Sequence, residues 1–299
     1  MFKKAERKRS YVKIALCGVS GSGKTYSALL MAQGLGEKIA MIDTENGSGE
    51  LYSDLCEYDV AQLVPPFSPN KFISAIKEAE DAGYGVLIID SLSHAWSGQG
   101  GILEMIDKKT AASRSGNSFV AWRDVTPEHN KLVDAILQCQ MHVIVTMRSK
   151  TAYEMQNDEK GKKTPVKVGL APIQREGMEY EFTLVFNIER EKHYALVSKD
   201  RTGLFKDTID VITPATGELI QKWIDEGIEA PAPWVKFEEE KCFVKGKEGW
   251  MPVEEMSIDG LRFILSKRQY QNAHTAAKSF TVVFIPLPLL LLLFHQDTL

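Results

Sequence analysis

The sequence predicts an α/β fold: a mostly parallel central sheet flanked by helices, with a small α+β appendage at the C-terminal end. Three observations predict it. Short apolar runs that close on a polar or acidic residue alternate with helical runs, as strands and crossover helices do when a sheet is covered on both faces. The 299 residues suffice for one large core plus a small addition. After about Gly227 the alternation stops, and a Pro- and Ala-rich stretch, Glu229-Ala230-Pro231-Ala232-Pro233, reads as an extended linker.

Residues 11–17 (YVKIALC) form the first expected strand, and residues 25–35, rich in Ala, Leu and Met, the first helix. Residues 38–43 are a second strand closing on Asp43. In residues 70–82, Phe72, Ile73, Ile76 and Ala79 share one helical face. Residues 86–90 (VLIID) are a third, buried strand. Residues 127–140 predict a helix with Thr126 as N-cap, and residues 142–147 a fourth strand. Residues 179–190 and 192–199 alternate like paired strands. Beyond the linker, residues 238–250 are hairpin-like and residues 258–278 suggest a helical pair. These divisions assign 1–227 to the core, 228–236 to the linker, 237–279 to a small C-terminal module and 280–299 to an apolar tail.

Composition excludes several classes. The formal net charge of −4 argues against binding nucleic acid through overall basicity, so any such contact needs a local patch. The four cysteines, Cys17, Cys56, Cys139 and Cys242, are scattered without metal-ligand spacing and fit free thiols in a reducing cytoplasm. No apolar segment of signal-peptide type follows the basic N-terminus. The run from Phe280 to Phe294 is shorter than the roughly 20 residues a spanning helix needs, and Pro286 and Pro288 interrupt it. No membrane association is expected.

Chemistry enters at Gly18-Val19-Ser20-Gly21-Ser22-Gly23-Lys24-Thr25, an ungapped G-x-x-x-x-G-K-T between an expected strand and an expected helix. Glycines let backbone N–H groups turn inward around phosphate oxygens, and the helix presents its N-terminus to the anion. Lys24 then reaches the β- and γ-phosphates, and Thr25 ligates Mg²⁺ through its hydroxyl. The apolar strand ending at Asp90 is the second half of the pattern, with Asp90 holding the same ion through water. ATP and Mg²⁺ are the expected cofactors.

Ser91 follows Asp90, so a water-activating carboxylate must come from elsewhere, and Asp43-Thr44-Glu45 offers one. This arrangement resembles that of the RecA-type recombinases, and by that resemblance Glu45 is the general base. The same resemblance implies that Lys199 and Arg201, in Ser198-Lys199-Asp200-Arg201, reach across a subunit interface to a neighbour's γ-phosphate; residues i and i+2 of a strand share one side. It also implies a polar γ-phosphate sensor at the end of the fourth strand, for which Thr146 and Arg148 are the candidates, although RecA-type proteins commonly carry Gln there. His94, just past Asp90, is a weaker candidate on the same side.

The order of GVSGSGKT, DTEN, IIDSLSH, VTMRSKT and SKDRTG over residues 11–227 is similar to phage-encoded RecA-core ATPases of the single-strand annealing type. That resemblance implies single-stranded DNA as partner, self-association with ATP at the subunit interface, and action in the host cytoplasm. Two segments, 97–119 and 149–170, are expected to be long loops facing DNA. The first offers Lys108, Lys109 and Arg114; the second offers Lys150, Tyr153, Lys160, Lys162, Lys163 and Lys167, cations for a phosphate backbone and a ring to stack on a base. Two other functions share the same core: a hexameric helicase or packaging motor, and an ATP-switched regulatory or partition-type protein without single-strand binding.

Overall fold

The computed structural model describes residues 4–113, 116–157, 163–206, 208–228, 235–238, 241–245 and 250–252. The chain divides into two units, Met1–Ile228 and Glu229–Leu299.

In the first unit the strands are β1 (Lys13–Gly18), β2 (Ile39–Asp43), β3 (Asp59–Gln62), β4 (Val86–Asp90), β5 (His142–Asn157), β6 (Lys163–Pro172), β7 (Leu184–Ile188), β8 (Tyr194–Asp200) and β9 (Ile209–Val211). They form one sheet in the order β3-β2-β4-β5-β1-β7-β8-β9, with β6 paired to the outer half of β5. From β3 to β7 every pairing is parallel; β8 and β9 add antiparallel strands at the edge. This is an α/β fold with a mixed, mostly parallel sheet flanked by helices.

Strand alternation splits the core into two layers. From β4, Leu87 and Ile89 face a layer with Phe72 and Ile76 of α2 (Pro69–Asp81) and Leu132 and Ile136 of α5 (Ser118–Gln138). Val86 and Ile88 face the other layer, with Leu29 and Met31 of α1 (Lys24–Leu35) and Ile220 and Ile224 of α6 (Pro214–Asp225). Burial on both faces is why these strands are continuous apolar runs.

Four expectations need correction. The helix expected at 127–140 starts at Ser118, capped by Asn117, whose Oδ1 accepts the Phe119 amide at 2.9 Å. Pro127 lies inside it, and Thr126 donates to the Trp122 carbonyl rather than capping. Burial of Ala121 and Val125 against Trp96, Ile102 and Ile106 holds the extra turns despite the proline. Segment 97–119 is not a structureless loop: it contains α4 (Ile102–Ala112), seated through Ile102 and Ile106, after the short α3 (Ser93–Ser97). Segment 149–170 is also ordered along most of its length, because β5 runs on to Asn157 and pairs antiparallel with β6, with a bulge at Ala152/Tyr153. At the other end of the core, residues 179–183 precede β7, and Met178–Tyr180 is a 3₁₀ turn.

The second unit contains a three-stranded antiparallel sheet, β10 (Val235–Glu238), β11 (Lys241–Lys245) and β12 (Trp250–Pro252). The helical pair expected at 258–278 and the apolar tail at 280–299 lie outside the described residues. Among the described residues no helix is long and apolar enough to cross a membrane.

At the opening end of the sheet, buried Lys13 donates to the carbonyls of Cys139 (2.9 Å) and Met141 (2.6 Å), satisfying the chain where α5 gives way to β5. Beside it, buried His142 accepts the Val12 amide on Nδ1 at 3.1 Å. Burial, and then the Lys13 charge, lower the imidazole to about 4. The unfolded chain takes up this proton near 6.5 and the folded chain only near 4, so acid favours unfolding across that window. The shift corresponds to about 3 kcal/mol, fully present above the window and lost below it. Chemical denaturation between pH 7 and 4 should therefore show a steeper loss for the natural chain than for His142→Gln, with equal slopes excluding this residue as the cause.

Candidate active site

Every candidate side chain of the first unit's cleft stands at the C-terminal ends of β1, β4 and β2 or at the same level of β5, which runs on beyond them. This is the usual ligand edge of a parallel sheet. Strand β5 lies between β1 and β4, so the phosphate loop and Asp90 flank it. The register aligns Asp43 with Asp90 across β2 and β4, and Gly18 with Arg148 across β1 and β5.

The phosphate loop is built by its glycines. Gly21 and Gly23 have φ values of 77° and 84°, a left-handed conformation that turns successive amides the same way. At Gly18 an added Cβ would lie 2.3 Å from Ser22 Oγ and 2.9 Å from the Ile188 carbonyl, so the loop closes on itself only without a side chain there. Ser20 and Gly21 are exposed and Val19 is half-buried, while Ser22 is fully buried. Lys24 and Thr25 begin α1, and Lys24 Nζ donates to the Val19 carbonyl across the loop at 2.9 Å. Burial lowers the Lys24 ammonium, opposed by the charges of Asp90 and Glu45.

Thr25 Oγ1 donates to Asp90 Oδ2 at 2.5 Å, and Thr146 Oγ1 donates to the other oxygen, Oδ1, at 2.5 Å. Burial raises the Asp90 carboxyl above its ordinary range, with these two hydroxyls acting against the rise. The donor set is hard oxygen, which suits Mg²⁺. Among the described residues no group of three or more His, Cys, Asp or Glu is arranged to hold a metal, so an ion held by this pair would need further ligands from outside the protein. The pair fits a Mg²⁺–nucleotide and does not fit a protein-caged metal.

Glu45 lies beyond the end of β2. Asp43 shapes its loop, accepting the Glu45 amide on Oδ1 (2.6 Å) and the Gly49 amide on Oδ2 (3.1 Å). Thr44 ties β2 to β4: its hydroxyl accepts the Ser91 amide at 2.8 Å and stands 2.6 Å from Nδ1 of His94, whose ring stacks on Phe67. The Glu45 carboxylate accepts from Ser91 Oγ (3.1 Å) and forms a two-point pair with Arg148, Nε donating at 2.9 Å and an Nη group to the second oxygen. Burial pushes Glu45 upward, but Arg148 outweighs it and holds the carboxyl below its usual range. Burial, then Arg148, lower His94.

The remaining candidates are not all gathered here. Lys199 and Arg201 do converge, both donating to the Tyr180 carbonyl, with Lys199 also reaching that of Glu179. The register places Lys199 opposite Val185, itself level with Ala15, so the pair is set back from the chain's own phosphate loop. Lys108 and Lys109 are on α4 and pair with Glu104 (2.5 Å) and Asp124 (3.8 Å), so they offer less free positive charge than expected. Lys150 is exposed on β5. Tyr153, Lys163 and Lys167 are strand residues of the β5–β6 hairpin, described by backbone alone. Arg114, Lys160 and Lys162 lie outside the described residues.

Sequence reasoning missed the supporting roles of Asp43, Thr44 and Ser91 as hydrogen-bonding residues around Glu45. Asp43 and Ser91 were visible as strand-end polar residues, but their partners depend on the β2–β4 register.

The fold and this cleft define a P-loop NTPase. A family model described as an AAA domain matches residues 10–214, and the chain belongs to that family. Among solved structures, the RadB recombinase is similar over 66% of this chain and 83% of its own, at 16% identity and a TM-score of 0.33. No curated protein matches the chain.

A Gly18→Ala substitution should weaken nucleotide binding strongly and cost about 1–3 kcal/mol of stability, because the new methyl meets backbone as well as a side chain. Thermal unfolding and nucleotide titration measure the two effects, and an unshifted midpoint would show that the loop has more slack than its geometry indicates.

Proposed function

We propose that this chain binds and hydrolyses ATP with Mg²⁺ and couples that cycle to single-stranded DNA, for annealing or strand exchange in phage recombination or replication. The observation that carries the ATPase reading is the contact of Thr25 with Asp90 beside a phosphate loop, with Glu45 brought to the next strand end. In this reading the amides of residues 18–25 and Lys24 grip the phosphates. Thr25 and Asp90 hold the ion, whose charge helps neutralise the transferring phosphoryl group. Glu45 takes the proton of the attacking water.

Arg148 and Thr146 serve as sensors. Arg148 pairs with Glu45, and a γ-phosphate brings competing negative charge to the same guanidinium. Its withdrawal frees the Glu45 carboxylate. Arg148 also starts the outer half of β5, and its carbonyl accepts the Ile173 amide that closes the hairpin root. That continuity supports a link from phosphate to the lysine-rich 149–170 hairpin as a DNA contact. Lys199 and Arg201 act on a neighbouring subunit's ATP; their convergence on one carbonyl supports a shared anionic target. The DNA substrate and the phage setting rest on the sequence resemblance.

Lys24→Ala should abolish turnover. Glu45→Gln should retain Mg²⁺–ATP binding while turnover falls about 10²–10⁴-fold; unchanged turnover removes Glu45 from the base role. Phosphate release measured with and without single-stranded DNA should rise several-fold with DNA. No response to DNA, together with ATP-dependent dimerisation, would instead favour the switched regulatory protein.

A further inference from the structure

The β7–β8 hairpin turn, residues 189–193, lies against the outside of the phosphate loop. The turn is closed by the Glu189 amide donating to the Tyr194 carbonyl at 2.9 Å. At its end His193 has φ 58°, left-handed for a residue with a side chain. This conformation brings His193 Nδ1 to 3.0 Å from the Ser22 carbonyl oxygen. A carbonyl only accepts, so Nδ1 carries the proton and donates. Two neighbours fit the same docking. A Cβ on Gly23 would stand 3.3 Å from His193 Nδ1, and one on Gly21 would stand 3.8 Å from Arg190 Nε.

The consequence follows from the planarity of the peptide group. In a trans peptide the C=O and the next N–H point in opposite directions. The bond between Ser22 and Gly23 is not among the cis peptides of the described residues. A Ser22 carbonyl drawn outward to His193 therefore turns the Gly23 N–H inward, toward the centre of the loop where a phosphate oxygen sits. Ser22 itself cannot set this orientation through its hydroxyl, which is buried and finds no partner among the described residues.

We propose that His193 is a positioning residue for the phosphate loop: by pinning the Ser22 carbonyl it aims the Gly23 amide at bound phosphate. The inference rests on the nucleotide-binding reading above and adds a residue 171 positions from Ser22, on a separate element, to the contacts that hold the loop's backbone from outside the site. It gives the β7–β8 hairpin a second contact with the nucleotide cycle besides Lys199 and Arg201, since one strand carries both ends.

Two variants separate the ring from the backbone. Glycine and asparagine both accept positive φ, but only asparagine offers a side-chain N–H. With a fluorescent ATP analogue and Mg²⁺, His193→Gly should bind about tenfold more weakly, the worth of one hydrogen bond. Its kcat at saturating ATP should stay within about twofold, because the loop grips ground and transition states alike. His193→Asn should recover most of the affinity. Amide hydrogen exchange over residues 18–25, measured without nucleotide, should quicken in the glycine variant and return toward the natural rate in the asparagine variant. Equal behaviour of the two variants in both measurements overturns the proposal. A natural chain that binds no nucleotide overturns the ATPase reading instead, and the exchange comparison still decides the role of His193.

Discussion

Thr25 and Asp90 are 65 positions apart in sequence, and their hydrogen bond requires β1 and β4 to end level with one another on either side of β5. β1 delivers the phosphate loop and β4 delivers Asp90. β5 runs between them and continues outward, so the residue it places at that level must not intrude. Thr146 solves this by bonding the second oxygen of the same carboxylate. A slip of one residue in any of these parallel pairings would exchange the two buried faces of the slipped strand and part the two groups. The two buried core layers, which fix which residues face which helices, thus fix the chemistry as well.

The cleft concentrates charge at a cost to folding. Burial raises Asp90 and lowers Lys24, meaning that each resists its charged form in the folded chain. Glu45 escapes that penalty chiefly by taking Arg148 as partner, with Ser91 and His94 acting in the same direction. The cleft is therefore a set of groups whose charges are incompletely matched by protein alone, which a phosphate chain and a divalent ion complement. Neighbouring hydroxyls and amides, from Thr44, Ser91 and the Asp43 loop, hold the acids in place without neutralising them.

Much of this was legible beforehand. Strands that are buried on both faces announce themselves as apolar runs, and residues 86–90 matched β4 end to end. The loop from Gly18 to Thr25 was legible because its pattern is contiguous, the glycines setting its turn within a few residues. What failed was decided by distant contacts. Residues 97–119 looked like a loop because Gly, Lys and Ser dominate, although Ile102 and Ile106 stand one helical turn apart and face Trp96 and Val125. Pro127 suggested a helix start, yet packing of Ala121 and Val125 outweighed its local preference. The alternation through Thr151, Tyr153 and Met155 marked a ribbon that lysine content obscured. His193 could not be found at all, because neither its positive φ nor its approach to Ser22 leaves a sequence signal.

One feature of β5 reaches beyond the cleft. The strand continues without interruption from the sheet interior, past Thr146 and Arg148, into the ribbon it forms with β6. Its outer nine residues extend about 30 Å at ordinary strand rise. Such a rod acts as a lever with its fulcrum at the acid-binding arginine. A tilt of about 5° there carries the far end through roughly 3 Å, comparable to the rise of one strand residue. The bulge at Ala152/Tyr153 interrupts the ladder of that rod, so a bend in it would concentrate there.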